Sequence, residues 1–139
     1  SNLILLMHQK EKISTGEFQI AVEESLRYIR LNGVRAIEII ESDMELSGSQ
    51  ILFMYTFFEN VTELILGKCT DLLVSFECSE EICLRIEAQV KDITVPVNFM
   101  YDRIEEFSGV LQIENEQDTI FLTLTLPGNL PVEDKNDIV

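Results

Sequence analysis

Two pairs of segments alternate largely between apolar and polar residues, and this alternation constrains the fold more than any other feature. The first pair covers 72–77 and 83–88, joined by a turn at 79–81, and the second covers 110–114 and 119–126. Successive side chains of a strand point to opposite faces, so each segment predicts a strand with one apolar and one polar face. A sheet built from such strands needs a covering layer on one face only.

Two longer segments have the periodicity of amphipathic helices and can supply that layer. The first helix is predicted over 16–31, because Ser14 and Glu17 have the capping-box spacing and Asn32-Gly33 favours a helix end. The second helix is predicted from Ser47 to Gly67. Its apolar stripe consists of Ile51, Met54, Tyr55, Phe58, Val61, Thr62 and Ile65.

The remaining periodic segments complete the order of elements. A strand is predicted over 34–40, and a third helix over 98–107, which ends before Gly109. The order helix, strand, helix, strand, strand, helix, strand, strand favours an α/β (α+β) fold. We therefore predict a two-layer sandwich in which helices cover one face of a mixed β-sheet.

The chain is expected to contain one folded domain over residues 16–128. Residues 1–15 are interpreted as a helical segment, the tail of a dimerisation region. Residues 129–139 form an acidic segment with too little apolar surface to offset its ordering entropy. These boundaries place the chemistry-bearing residues within a single unit.

The charge balance argues against one class of partner. Ten Lys and Arg residues and 25 Asp and Glu residues give a formal net charge of −15, which repels nucleic acid phosphates. No apolar run reaches the roughly 18 residues of a membrane-spanning helix, so we expect a cytoplasmic domain without membrane contact. The three cysteines are interpreted as reduced thiols, although Cys78 and Cys83 flank a turn that a disulfide could bridge in an oxidising compartment.

A family resemblance lies mainly in residues 100–127. The stretch from Met100 to Gly109 reads M-Y-D-R-I-E-E-F-S-G, and the hairpin after it ends in L-T-L-P at Pro127. Both resemble the last helix and closing hairpin of the ATP-binding domain of bacterial sensor histidine kinases, which belongs to the GHKL superfamily and has the Bergerat fold. The resemblance extends over residues 20–127 and implies ATP-dependent protein-histidine kinase activity in two-component signalling, with ATP and Mg²⁺ as cofactors.

The same resemblance assigns roles to four residues. In the family, a helix motif like H-E-A-L-T-N-A-L-K-H carries a catalytic Glu and an Asn that holds Mg²⁺. Aligning it with 58–66 makes Glu59 the catalytic residue and puts Glu63 at the metal position. A second register would make Asn60 the metal ligand, but it leaves the next strand several residues too far away. Asp92 corresponds to the Asp that recognises adenine in the family's D-x-G motif, without its glycine.

The chain departs from the family where phosphate must be held. No glycine occurs from Lys68 to Ser108, and residues 92–98 leave no room for the family's glycine-rich lid. Glycine lets a backbone approach phosphate closely, so the resemblance implies a degenerate copy that binds no cofactor. His8, the only histidine, precedes the first predicted helix too closely to lie on the family's phosphoacceptor hairpin, and it is interpreted as a solvated side chain.

Three hypotheses for the function follow. The favoured one is a pseudokinase domain that binds no nucleotide and acts as a scaffold for a sensor or response-regulator protein. The second is a divergent but active ATP-dependent histidine kinase that uses Glu59 as its general base. The third is an unrelated α/β interaction module that forms a homodimer through its N-terminal helices. Glu59 and Glu63 also fit the solvated face of an amphipathic helix, which is the simplest explanation of such a pair.

Overall fold

A computed structural model describes residues 12–41 and 43–128. The elements in chain order are β1 (Lys12–Ser14), α1 (Thr15–Leu31), β2 (Arg35–Ile40), β3 (Glu45–Ser47), α2 (Gly48–Ile65), β4 (Cys69–Cys78), β5 (Glu81–Val90), α3 (Tyr101–Glu106), β6 (Val110–Glu116) and β7 (Thr119–Pro127). The eight predicted elements are all present, in the predicted order.

Five strands form one mixed sheet with the order β2-β4-β5-β7-β6. The β2 and β4 strands are parallel, and the other neighbouring pairs are antiparallel. Parallel pairing requires a crossover, which β3 and α2 provide, whereas the antiparallel pairs β4–β5 and β6–β7 need only short turns. The predicted mixed sheet is confirmed.

One face of the sheet carries the core. Alternate residues of the strands are buried beneath the helices, and they include Ala36, Leu72, Val74, Phe76, Leu84, Ile86, Leu122 and Leu124. Both long helices contribute aromatic side chains to this layer, and the rings of Phe18 and Phe76 lie 4.9 Å apart. On the opposite face, Ile37 and Ile39 are exposed. The helices therefore cover one side only, as the strand alternation predicts.

Hydroxyl side chains mark the beginnings of the two long helices. Ser14 Oγ accepts a hydrogen bond from the backbone N–H of Gly16 at 2.9 Å, and Ser47 Oγ accepts one from Gln50 at 3.1 Å. These bonds satisfy backbone donors that have no partner within the helix. Gly33 and Gly67, both at φ 90°, follow the two helix ends in a conformation that glycine adopts without steric strain.

The structure differs from the sequence predictions at two short strands. Lys12–Ser14 forms β1 and pairs antiparallel with β3, so the helical segment predicted over 1–15 does not include these three residues. Residues 1–11 and the acidic segment 129–139 lie outside the described part of the chain. Three-residue strands carry too few positions to show alternation, and only their mutual pairing defines them.

The third helix is also shorter than predicted. Helix α3 covers Tyr101–Glu106, because Met100 takes a left-handed conformation at φ 54° and residues 91–100 form an irregular connection.

The β4–β5 register pairs Cys78 with Ile82 and Cys83 with Glu77, and all three cysteines are free. Burial raises the pKa of the Cys78 thiol to about 11, which keeps it protonated and unreactive at neutral pH.

The buried face of β7 should dominate the stability of the domain. Replacing the fully buried Leu122 by Ala removes methyl groups from a packed core and should lower the free energy of unfolding by about 2–5 kcal/mol. The measurement is chemical denaturation followed by circular dichroism.

The matched control is Thr123→Val, one residue along the same strand and on the open face of the sheet. It should change the free energy of unfolding by less than about 1 kcal/mol. Equal losses in the two variants would contradict one-sided burial.

Candidate functional site

Helix α2 carries three of the four residues proposed for chemistry and divides them between its two sides. Glu59 and Glu63 lie on the side that faces α1, where they line one groove together with Tyr28 and Leu66. Asn60 lies on the other side, and its amide donates a hydrogen bond to the sulfur of Met100 at 3.3 Å. Residues 59 and 60 differ by about 100° of rotation around a helix axis, which explains this separation.

The α1–α2 groove is a cavity of about 310 Å³. The residues that line it are Ser25, Tyr28, Ile29, Glu59, Thr62, Glu63 and Leu66. One wall comes from α1 and the other from the last turns of α2, and the exposed ring of Tyr28 stands at its edge. The groove thus combines apolar walls with two carboxylates.

A short hydrogen-bond chain runs along one side of this groove. The hydroxyls of Ser25 and Tyr55 lie 2.9 Å apart, and the Tyr55 hydroxyl is a polar neighbour of the Glu59 carboxylate. Either hydroxyl of the Ser25–Tyr55 pair can be the donor. An ionised carboxylate only accepts, so where the Tyr55 O–H donates to Glu59, Ser25 donates to Tyr55.

The surroundings of Glu59 shift its acidity. Partial burial raises the pKa of the Glu59 carboxyl, the hydrogen bond from Tyr55 lowers it, and the negative charge of Glu63 raises it again. Burial is the largest of these effects, so the net pKa lies above that of an ordinary glutamate. Two negatively charged carboxylates, Glu59 and Glu63, are therefore neighbours. The less exposed one, Glu59, is destabilised in its ionised form.

The side of α2 that faces α3 is filled by aromatic rings. Phe53 stacks on Phe107 with ring centroids 4.5 Å apart and planes within 3°, and Phe57 meets Phe99 edge-on at 5.9 Å. Phe53 and Phe57 are completely buried. The guanidinium of Arg103 lies 5.4 Å from the Phe53 ring centroid. The side of α2 that faces α3 is therefore covered by side chains of the same chain.

Asp92 lies apart from the other proposed residues. It follows β5, is exposed, and has a left-handed backbone at φ 57°. Its carbonyl oxygen accepts a hydrogen bond of 3.5 Å from Lys68, just beyond the end of α2. The groove that holds Glu59 and Glu63 does not include Asp92.

The residues assigned to the Mg²⁺ site by the two registers do not lie together in the described part of the chain. Glu63 shares its groove with Glu59 alone among the proposed residues, while the amide of Asn60 points to Met100. Within residues 12–41 and 43–128, no three His, Cys, Asp or Glu side chains come together as metal ligands. No helix in these same ranges is long and apolar enough to cross a membrane.

Comparison with solved structures identifies the fold. The histidine kinase AdeS of Acinetobacter baumannii matches 93% of this chain and 76% of its own, with a TM-score of 0.64 and 14% identity. The catalytic domain of the histidine kinase ThkA matches 84% of this chain and 94% of its own, with a TM-score of 0.61 and 11% identity. This chain has the fold of a histidine kinase catalytic domain.

The match to that fold is structural and not visible in sequence searches. The mycobacterial sensor histidine kinase MprB matches 88% of the chain and 99% of its own, with a TM-score of 0.58 and 12% identity. No protein-family model and no curated protein sequence matches the chain. The resemblance drawn from residues 20–127 is confirmed at the level of the kinase catalytic fold.

Sequence reasoning missed the partners of the proposed site residues. Ser25 and Tyr55 lie 30 positions apart, and Phe53 and Phe107 lie further apart still. The only signal in the sequence was the placement of these residues on helical stripes, which does not say which helices face each other. Phe58, on the predicted stripe of the second helix, is fully buried, and so are Phe18, Phe53 and Phe57.

Replacing Glu59 by Gln should raise the melting temperature at neutral pH, by an amount on the order of a degree or two. The pKa of Glu59 is higher in the folded state than in the unfolded chain, so ionisation destabilises the fold as the pH rises through the folded-state pKa. The neutral amide avoids this loss and still accepts from Tyr55. The difference should disappear below the ordinary pKa of glutamate, about 4.3.

Thermal melts of both proteins between acidic and neutral pH check this expectation. The control is Glu114→Gln, an exposed glutamate on β6 that removes the same charge. Two results would contradict the explanation that burial raises the pKa of Glu59. One is a lower melting temperature for Glu59→Gln at neutral pH, and the other is the same pH dependence in the control.

Proposed function

We propose that this domain is a signal-transduction scaffold that keeps the histidine kinase fold and binds no nucleotide. The observation that carries the proposal is the filling of the α3 side of α2 by Phe53, Phe57, Phe99 and Phe107. The family resemblance makes α2 the nucleotide-facing helix, and in the register that makes Asn60 the metal ligand this is the side that would face the nucleotide. Side chains already packed there would have to move before a purine and its phosphates could enter.

The connection between β5 and α3 supports the same proposal. Residues 91–100 contain no glycine, and within this segment Val95 is buried and Phe99 packs on Phe57. A phosphate-binding lid requires backbone N–H groups that approach the ligand closely, which glycine permits and bulky residues hinder. Val95 and Phe99 instead attach this short connection to the core.

The charge of the α1–α2 groove argues against a bound nucleotide there. Glu59 and Glu63 place two carboxylates there, and the seven residues that line the groove include no Lys, Arg or His. A triphosphate would be repelled unless Mg²⁺ or cationic side chains offset the charge. The carboxylates therefore favour a cationic partner.

The expected partner is another protein of a signalling system, of the sensor or response-regulator type. The kinase catalytic fold supports this proposal, because the fold recurs in the sensor histidine kinase MprB. Phosphotransfer is not part of the proposed role, and neither ATP nor Mg²⁺ is a proposed cofactor. Glu59, Glu63, Asn60 and Asp92 accordingly carry no catalytic or metal-binding role in it.

Mg-ATP at millimolar concentration should leave the melting temperature unchanged and give no saturable heat on titration. A ligand at a hundredfold excess over its Kd would stabilise the fold by about 2.7 kcal/mol, which a melting curve registers clearly. The measurements are a thermal melt and isothermal titration with Mg-ATP and Mg-ADP. A nucleotide-binding histidine kinase catalytic domain serves as the positive control.

Two results would overturn the proposal. One is a saturable titration accompanied by a rise in melting temperature. The other is ATP hydrolysis or autophosphorylation by the purified full-length protein that Glu59→Gln abolishes, as expected if Glu59 is a general base.

A further inference from the structure

The α1–α2 groove has the chemistry of a receptor for a basic side chain. We propose that the groove binds a Lys- or Arg-bearing peptide segment of a protein partner, with the cation beside Glu59 and Glu63 and the side-chain stem against Tyr28 and Leu66. This inference rests on the proposed scaffold role and names the surface and the partner's chemistry.

The first argument is charge complementarity inside a recess. Glu59 and Glu63 lie one helical turn apart on α2, and both line the same cavity of about 310 Å³. Glu24 on α1 adds a further negative charge near the Tyr55 hydroxyl. A groove with walls of one charge sign and low dielectric focuses its field, and a net charge of −15 strengthens it.

The second argument is that the Glu59 carboxylate has polar neighbours within the protein. The hydroxyls of Ser25 and Tyr55 are hydrogen-bonded at 2.9 Å, and the Tyr55 hydroxyl interacts with the Glu59 carboxylate, which reduces the side-chain ordering that binding requires. Its remaining acceptor positions are available to an N–H donor.

The third argument is that the walls of the groove expose apolar surface beside the carboxylates. Tyr28 is 62% exposed and Leu66 is 41% exposed, which leaves an aromatic face and an aliphatic side chain in water next to the carboxylates. Lys and Arg bury their methylene stems along apolar surface while the charged group stays near polar partners. An aromatic face also attracts a guanidinium or ammonium group through its quadrupole.

The walls also argue against a metal ion as the occupant. Mg²⁺ keeps several water molecules when a protein supplies only one or two carboxylates, and the apolar walls offer those waters no hydrogen-bond partners. Within the described ranges no larger cluster of metal ligands exists. An organic cation satisfies the carboxylates and covers the apolar walls together.

A labelled peptide tests the proposal with the full chain. The probe is a fluorescein-labelled amphipathic peptide of Leu, Ala and Arg, and its counterpart carries Gln in place of every Arg. The arginine peptide should bind in an anisotropy titration, and its counterpart should bind at least about tenfold more weakly. In ¹H–¹⁵N spectra, the shifts should concentrate at Ser25, Tyr28, Thr62 and Leu66.

Matched variants separate a specific groove from general acidity. The double variant Glu59→Gln with Glu63→Gln should weaken binding by about tenfold or more. The control, Glu114→Gln with Glu116→Gln, removes the same charge from exposed positions of β6 and should leave the Kd within about twofold. Tyr28→Ala, at an exposed position that folding does not require, should weaken binding by about fivefold.

Three outcomes would overturn the proposal: no binding of the arginine peptide, equal weakening by the two double variants, or shifts that map outside the groove. Concentration-dependent shifts of the groove signals without peptide would also overturn it, because a second copy of the chain would then be the occupant. If both the peptide and Mg-ATP bind, the proposed nucleotide-free scaffold is contradicted and the proposed peptide groove is supported. If neither the peptide nor Mg-ATP binds, the peptide groove is contradicted and the nucleotide-free scaffold is supported.

Discussion

Burial of a single face of the sheet beneath α1 and α2 is the constraint on which the rest of the structure depends. Leu84, Ile86, Leu122 and Leu124 are inaccessible because the helices lie on them, and their neighbours along each strand face outward. With both long helices held on one side, α1 and α2 must also lie next to each other. The groove between them, and the side of α2 turned toward α3, are consequences of that layer.

Helix α2 has two sides with opposite chemistry. Toward α1 it presents Glu59 and Glu63, and toward α3 it presents Phe53 and Phe57. Helical geometry makes this division unavoidable, because adjacent residues diverge by about 100°. The polar side remains open to a ligand, whereas the aromatic side is closed by Phe99 and Phe107. The same helix thus belongs to a kinase fold and carries an acidic side and a packed aromatic side.

The fold and the chemistry of this domain are separable. A histidine kinase catalytic fold needs the mixed sheet, the crossover through α2 and the closing hairpin of β6 and β7, and all of these are present. It does not need a glycine-rich lid in order to fold, so residues 91–100 can form a short packed connection instead. A fold therefore sets the places where sites can form, and the side chains at those places decide the chemistry.

The sequence by itself determined the elements, their order and the one-sided sheet, because alternation and helical periodicity are local signals that survive without knowledge of neighbours. It also placed Glu59, Asn60 and Glu63 on the second long helix. Only the tertiary structure decided that Glu59 and Glu63 meet Tyr28 and that Asn60 meets Met100, and it alone revealed the three-residue strands β1 and β3. Those outcomes depend on which faces pack together, and no local pattern records the packing of residues that lie tens of positions apart.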